Sequence, residues 1–369
     1  MLDLLAMITV CTFFAYVIQT RTIRYQSTIN CIRKDTQAKV IYAVILLWII
    51  LFSGLRSRYN DTSTYMIGFQ MLDPKSVGFS DLFSSYGGFE VYQKIIKQYI
   101  SDNPQVLIFV SAVLVGLLYI PFLARHTNHF GETIFLFLIG DYIFSMGGIK
   151  QSLAIGIALH AISSYLDKRY IKAIILLLIA MSFHPYVICL VCIVALQDEV
   201  WSVKCVLLSA VFVVLFMNLD SLFGLLSAIG KDYSSEDMSS YTINPIRVLV
   251  EAVPVAISFL YRKKLNVSQD KYLILGVNMQ VISFLFIALG LLFNPIYLGR
   301  MATYFSALSC IAIPKMLNVA FKNTKNGRYW TVLYYAFFGV YFLMDMTKIG
   351  TISVFYDQFR HISLFSLFQ

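Results

Sequence analysis

The chain has 369 residues, 59% of them hydrophobic and only 13% charged, about half the ~25% usual in a soluble domain. With a mean hydropathy of +0.73, the chain has too few polar residues to cover its apolar surface in water. A soluble enzyme is excluded and an all-α integral membrane protein is expected; in such a protein the net charge of +9 is mostly topological and no nucleic-acid partner is read from it.

In chain order, apolar runs fall near 2–19, 38–55, 104–124, 132–147, 151–166, 170–183, 185–197, 203–219, 246–261, 272–293, 301–318 and 329–346, about twelve segments. Several are shorter than the ~20 residues that cross a ~30 Å core, which implies half-helices, tilt or a cavity-lined site. The first run has no basic leader and reads as a first span rather than a cleaved signal. No soluble insert or internal repeat stands out, so residues 1–369 read as a single polytopic domain. Two stretches stand outside it as loops: 56–103, with partly interfacial helices, and 220–245. An aromatic content of 15% suits wet interfacial ends and an amphipathic cavity. Cys189 and Cys192 have redox or zinc spacing, yet they lie inside an apolar run and read as ordinary helix residues.

Basic residues set the orientation. The turns that hold Arg21 to Lys39, Arg125, Lys168 to Lys172, Lys204, Arg262 to Lys271 and Lys315 to Arg328 collect 18 of the 29 Lys and Arg residues but six acids. They land on one side only if 170–183 and 185–197 cross separately. That side is cytoplasmic, and the N-terminus is outside. The two loops, Gly147–Lys150, His184–Pro185 and Asn294–Arg300 then face out.

Ionisable groups at membrane depth cost ~2.5–3.5 kcal/mol on insertion scales, so they are functional candidates. Arg56 and Arg58 follow the second span. Lys150, His184 and Arg300 are each expected to open a helix, His184 with Pro185 in the first helical position. A cation at a helix N-terminus opposes the macrodipole, which makes sense if an anion lies between the three ends. Asp141, in the fourth span, is a weaker candidate, to pair with Lys150 or another cation. His160 reads as a satisfied interhelical histidine, and His126 and His129 as loop residues. No metal, nucleotide or nucleophile-elbow signature is present, so no metal site or cofactor is expected.

At these same positions the chain resembles the EpsG/Wzy group of bacterial polysaccharide polymerases. One motif is Phe52-Ser-Gly-Leu-Arg56-Ser-Arg58-Tyr-Asn-Asp61-Thr-Ser-Thr-Tyr65. The most specific is Gly148-Ile-Lys150-Gln151-Ser-Leu-Ala, followed by Tyr165-Leu-Asp-Lys-Arg-Tyr170 and Ala180-Met-Ser-Phe183-His184. A third is Gly299-Arg300-Met-Ala-Thr-Tyr304-Phe305, and Gly88-Phe89-Glu90 is similar to a short family element. One departure is Lys150, where the group usually has Arg: the charge is kept and the bidentate fork is lost.

The resemblance implies a multi-pass glycosyltransferase of GT-C-like architecture in the bacterial plasma membrane, with its active site facing outside. It would join undecaprenyl-pyrophosphate-linked oligosaccharide repeat units, moving the growing glycan to the non-reducing end of the incoming unit. Lipid-linked oligosaccharide is then donor and acceptor, with membrane lipids and a chain-length regulator as further partners. Arg56, Arg58, Lys150 and Arg300 are assigned to the pyrophosphate. Tyr65, Gln151 and Tyr304 are assigned to substrate. His184 is the first choice for general base, with Asp61 and Glu90 as the others. A lipid-linked oligosaccharide flippase or transporter and an O-antigen-ligase-like transferase are the rival readings.

Overall fold

The computed structural model describes residues 2–74, 86–217, 243–293, 295–322, 324–348 and 360–367. Every apolar segment expected from the sequence is helical over most of its described residues. The chain runs α1 (Leu2–Tyr25), α2 (Thr28–Lys34), α3 (Thr36–Gly54), the short strand β1 (Arg56–Arg58), α4 (Thr62–Met71), α5 (Gly87–Tyr99) and α6 (Pro104–His126). It continues through α7 (Phe130–Ile139), α8 (Asp141–Gly147), α9 (Ile149–Leu166), α10 (Tyr170–Phe183), a 3-10 helix (Pro185–Ala195) and α11 (Val203–Met217). Then come α12 (Pro245–Leu260), α13 (Arg262–Val267), α14 (Lys271–Leu289), α15 (Pro295–Ser306), α16 (Ser309–Phe321), α17 (Gly327–Lys348) and the strand β2 (Arg360–His361).

Among the described residues, five helical segments are long and apolar enough to cross a membrane: α1, α3, α6, the α7–α8 pair and α14. The α15–α16 pair, bent by 60°, makes a sixth. The protein is therefore all-α and membrane-embedded. Its shorter apolar helices include α10 and α11, with 14 and 15 residues. The 11 residues of the 3-10 helix reach about 22 Å at ~2.0 Å per residue, further than an α-helix of that length. The loop expected at 56–103 holds β1, α4 and α5 over its described part. The second loop, 220–245, lies outside the described residues up to 242.

The helix starts follow from their caps. Ser27 accepts from Asn30 N–H and starts α2. Asp35 accepts from the N–H groups of Gln37 and Ala38 and starts α3, and Arg21 pairs with it at 3.0 Å. The Ala38 N–H bond is the main reason its carboxyl is held below the ordinary value. Asn103 and Pro104 start α6, Asn244 and Pro245 start α12, and Asp270 starts α14.

The chain forms two compact units, one of residues 1–184 and 339–369, the other of Pro185–Phe338. In the first, α1 packs on α7 and α3, α3 on α6, and α9 on α6 and α10. The second is built around α14, on which α12, α15 and α16 pack. Asn278 of α14 is fully buried; its amide donates to Leu196 O and Glu199 O at 2.8 and 2.7 Å and accepts from Trp201 N–H at 2.9 Å. A polar side chain in an apolar helix thus holds the 196–201 turn with every group satisfied.

Candidate active site

The first motif sits at the end of α3, where a helix leaves its last carbonyls without helical partners. Here each has one from elsewhere. The His361 ring Nε2 donates to Phe52 O at 2.9 Å. The Arg56 guanidinium donates to Ser53 O. The Gln105 amide donates to both Gly54 O and Arg56 O at 2.9 Å. Ile362 N–H donates to Leu55 O at 2.9 Å, continuing the antiparallel pairing of β1 with β2. His361 also sets its ring edge against Phe52, with centroids 4.8 Å apart.

Arg56 is 2% exposed. Besides Ser53 O, its guanidinium donates to Met146 O in the last turn of α8 at 2.8 Å and to Thr62 Oγ1 at 3.3 Å. Burial lowers its pKa to about 10, so it stays charged at neutral pH. One cation thus joins the carbonyl ends of two helices, where the macrodipole is negative. The following turn, with Asn60 at φ 45°, carries Arg58 and Asp61 into solvent and packs on the next motif. The Asn60 amide lies so close to Gly147 that a Cβ there would sit 2.7 Å from Nδ2.

Gly147 and Gly148 lead into α9, whose second residue is Lys150, as expected. The Lys150 ammonium lies 4.9 Å from the Tyr86 ring and 5.3 Å from the Phe89 ring. Tyr86 caps α5 in the left-handed region, φ 63°. Its ring also meets His184 in a T-shaped contact, centroids 5.3 Å apart. Phe89 meets Tyr65 at 5.8 Å, Tyr92 at 5.7 Å and Phe183 at 6.3 Å. Gly88 makes this junction possible: a Cβ there would lie 2.1 Å from Ser182 Oγ, so only glycine lets the start of α5 reach the end of α10. Three sequence candidates therefore meet around two aromatic rings, Tyr65, Lys150 and His184, with Glu90 and Gln151 next to ring-contacting residues in the chain.

Two positions differ from the sequence expectation. Arg300 does not open a helix. Pro295 starts α15 five residues earlier, so Arg300 lies in its second turn, and the dipole argument fails there. His184 closes α10 as its C-cap, its N–H bonded to Ala180 O, before the 3-10 helix begins at Pro185. That end carries the negative pole, which favours a cation. Asp141 lies within the fourth span as expected, just after that span breaks at Gly140, and begins α8. Arg300, half-buried, and Tyr304, fully buried and one turn on, belong to the second unit.

Several participants escaped the sequence reading. Lys94 is 4% exposed and pairs with Glu90 at 2.7 Å. The i, i+4 spacing signalled a pair, though not a buried one. Lys97 closes α4 by donating to Phe69 O, Gln70 O and Leu72 O at 3.0, 2.7 and 2.7 Å. Gln105 and His361 cap α3 from 51 and 309 residues away, with no local signal. His160 does bond a neighbouring helix, at Leu118 O, 3.0 Å. All six cysteines are free, Cys189 and Cys192 half-buried.

The junction combines a cation held on aromatic faces, a histidine and a paired carboxylate, beside a turn bearing an exposed arginine and aspartate. Such a set can hold an anion, stack on sugar faces and move a proton. No curated protein and no solved structure matches the chain. The EpsG family model matches residues 39–359, most of its length, and the chain belongs to the EpsG family, the EpsG/Wzy-type polysaccharide polymerases.

Proposed function

We propose that this protein polymerises oligosaccharide repeat units carried on undecaprenyl pyrophosphate, at the outer face of the bacterial plasma membrane. The architecture is GT-C-like, with about twelve crossings and the N-terminus outside. The growing glycan moves from its lipid carrier to the non-reducing end of the incoming unit. A C–O bond forms at the anomeric carbon, the bond to pyrophosphate breaks, and the acceptor proton passes to the base.

The observation that carries this reading is Lys150 over Tyr86 and Phe89, with His184 on the same Tyr86. Aromatic rings hold an ammonium without cancelling its charge. Lys150 is thus positioned to stabilise the charge that develops on the leaving pyrophosphate. Arg58, in the same unit, adds charge to the same group. Arg56, with three donors committed to helix ends and a hydroxyl, is a strut that positions Arg58 and the Gly147 turn. Tyr65 and Gln151 contact sugar or phosphate, whereas Tyr304, fully buried, supports its own unit from within. His184 takes the acceptor proton; Asp61, exposed, and Glu90, tied to Lys94, are the other carboxylates in reach of that role.

The test uses purified protein in liposomes with lipid-linked repeat units. Lys150→Ala should lower polymer formation by about 10²–10³-fold, the weight of one electrostatic contact at a transition state, while the protein still accumulates. Lys150→Arg should retain activity. Polymer of normal length and rate from the alanine variant overturns the assignment. One feature favours a second reading: the 60° break between α15 and α16 resembles the discontinuous helices of transporters. Movement of lipid-linked units without new glycosidic bonds selects that reading.

A further inference from the structure

At the far end of α9 from Lys150, the turn into α10 forms an open groove of about 700 Å³. Lys168, Arg169 and Lys172 stand at its rim, and Tyr170, Ile171 and Ile175 form its apolar wall. Arg169 pairs with Asp167. The side chains of Lys168 and Lys172 have no ion pair among the described residues, and both residues are exposed. The wall is as open as the rim: Ile171 is 78% exposed, Tyr170 54% and Ile175 53%.

A water-facing groove gains nothing from isoleucines, and a groove buried in hydrocarbon gains nothing from three cations. Together they match a molecule with an anionic head and an aliphatic tail. The 14 residues of α10 span about 21 Å, less than the ~30 Å hydrocarbon core, so its basic end is drawn towards headgroup level and the long Lys and Arg stems lie along the apolar surface. The apolar stripe continues along the helix through Ile174 and Leu178, each 58% exposed, a path for an acyl chain.

We propose that this groove seats one anionic phospholipid, its phosphate held by Lys168 and Lys172 with Arg169 beside it, and an acyl chain on Ile171 and Ile175. The site is separate from the junction at Lys150 and does not depend on the polymerase reading.

Delipidated full-length protein in detergent, titrated with phosphatidylglycerol or phosphatidylcholine of matched chains and read by native mass spectrometry, tests this. Phosphatidylglycerol should be retained and phosphatidylcholine lost. Each cation near an anionic headgroup is worth about fivefold in affinity, so K168Q/K172Q should weaken phosphatidylglycerol about thirtyfold. Lys263→Gln, which removes an exposed charge elsewhere, should leave it unchanged. Ile171→Asn should weaken the lipid but not water-soluble glycerol phosphate. Equal retention of the two lipids overturns the proposal, as does equal loss in K168Q/K172Q and Lys263→Gln. Displacement of the lipid by millimolar inorganic phosphate makes it a site for a soluble anion and overturns it too.

Discussion

The end of α3 and the junction of α5, α9 and α10 carry the two longest motifs, and they are built on opposite principles. At α3 every backbone carbonyl from Phe52 to Arg56 has a donor, supplied by Arg56, Gln105, His361 and Ile362. At the junction, Lys150 and His184 both lie against the Tyr86 ring, contacts with weak directionality. The first region is satisfied internally and acts as scaffold. The second gathers a cation and an imidazole against aromatic rings at the start of α5. Motif residues of the same charge thus have different work, and substitutions should separate them.

The largest effect expected from the scaffold is that of Arg56→Ala. It orphans Ser53 O and Met146 O, each worth about 1–3 kcal/mol when buried without a donor. The variant should melt at a clearly lower temperature in detergent and accumulate poorly, whereas Lys150→Ala should melt like the parent. Equal melting of the two variants would erase the contrast between strut and clamp.

Gly88→Ala comes next. The new Cβ would meet Ser182 Oγ at 2.1 Å and push α5 off α10, an overpacking that costs about 1–3 kcal/mol. Polymer formation should fall through displacement of Tyr86 and Phe89, and a second change, Ser182→Gly, should restore part of it. No restoration would mean that Gly88 acts otherwise than through this contact.

Removal of residues 360–369 should act more mildly on stability. It takes away the donors to Phe52 O and Leu55 O but leaves Arg56 and Gln105 in place. At about 0.5–1.5 kcal/mol net for each hydrogen bond, the loss is smaller than that of Arg56. Protease susceptibility near Arg58 should rise, and a melting temperature as low as that of Arg56→Ala would show that β2 is the main tie.

Helices are legible because hydrophobicity is local: each of the twelve apolar runs is helical over most of its described residues. Ends were less so. Arg300 was placed one and a half turns early although Pro295, a good first helical residue, stood in view, because the apolar run after Arg300 outweighed it. His184 was assigned to the helix after it rather than the one before, since His-Pro reads as a start from either side. The site was legible where motifs carry their own partners, as with Glu90 and Lys94 four residues apart. It was illegible where caps come from distant chain, as with Gln105 and His361. A buried lysine on an amphipathic helix such as α5 looks solvated until the helix is packed.

The smallest expected effect is the sharpest test of the junction itself. Tyr86 joins Lys150 and His184 through its ring, so Tyr86→Phe should keep both contacts and most activity, while Tyr86→Leu loses them. A cation–π contact is worth about 0.5–2 kcal/mol, so the leucine variant should turn over roughly two- to thirtyfold more slowly. If Lys150 acts on the leaving group, the loss should fall on the rate at saturating donor more than on donor binding. If instead Tyr86 stacks on the sugar alone, donor binding should weaken and the saturated rate should hold. Combining Tyr86→Leu with Lys150→Ala then separates the two: the cation–π contact is gone once the lysine is, so the double variant should be no slower than Lys150→Ala.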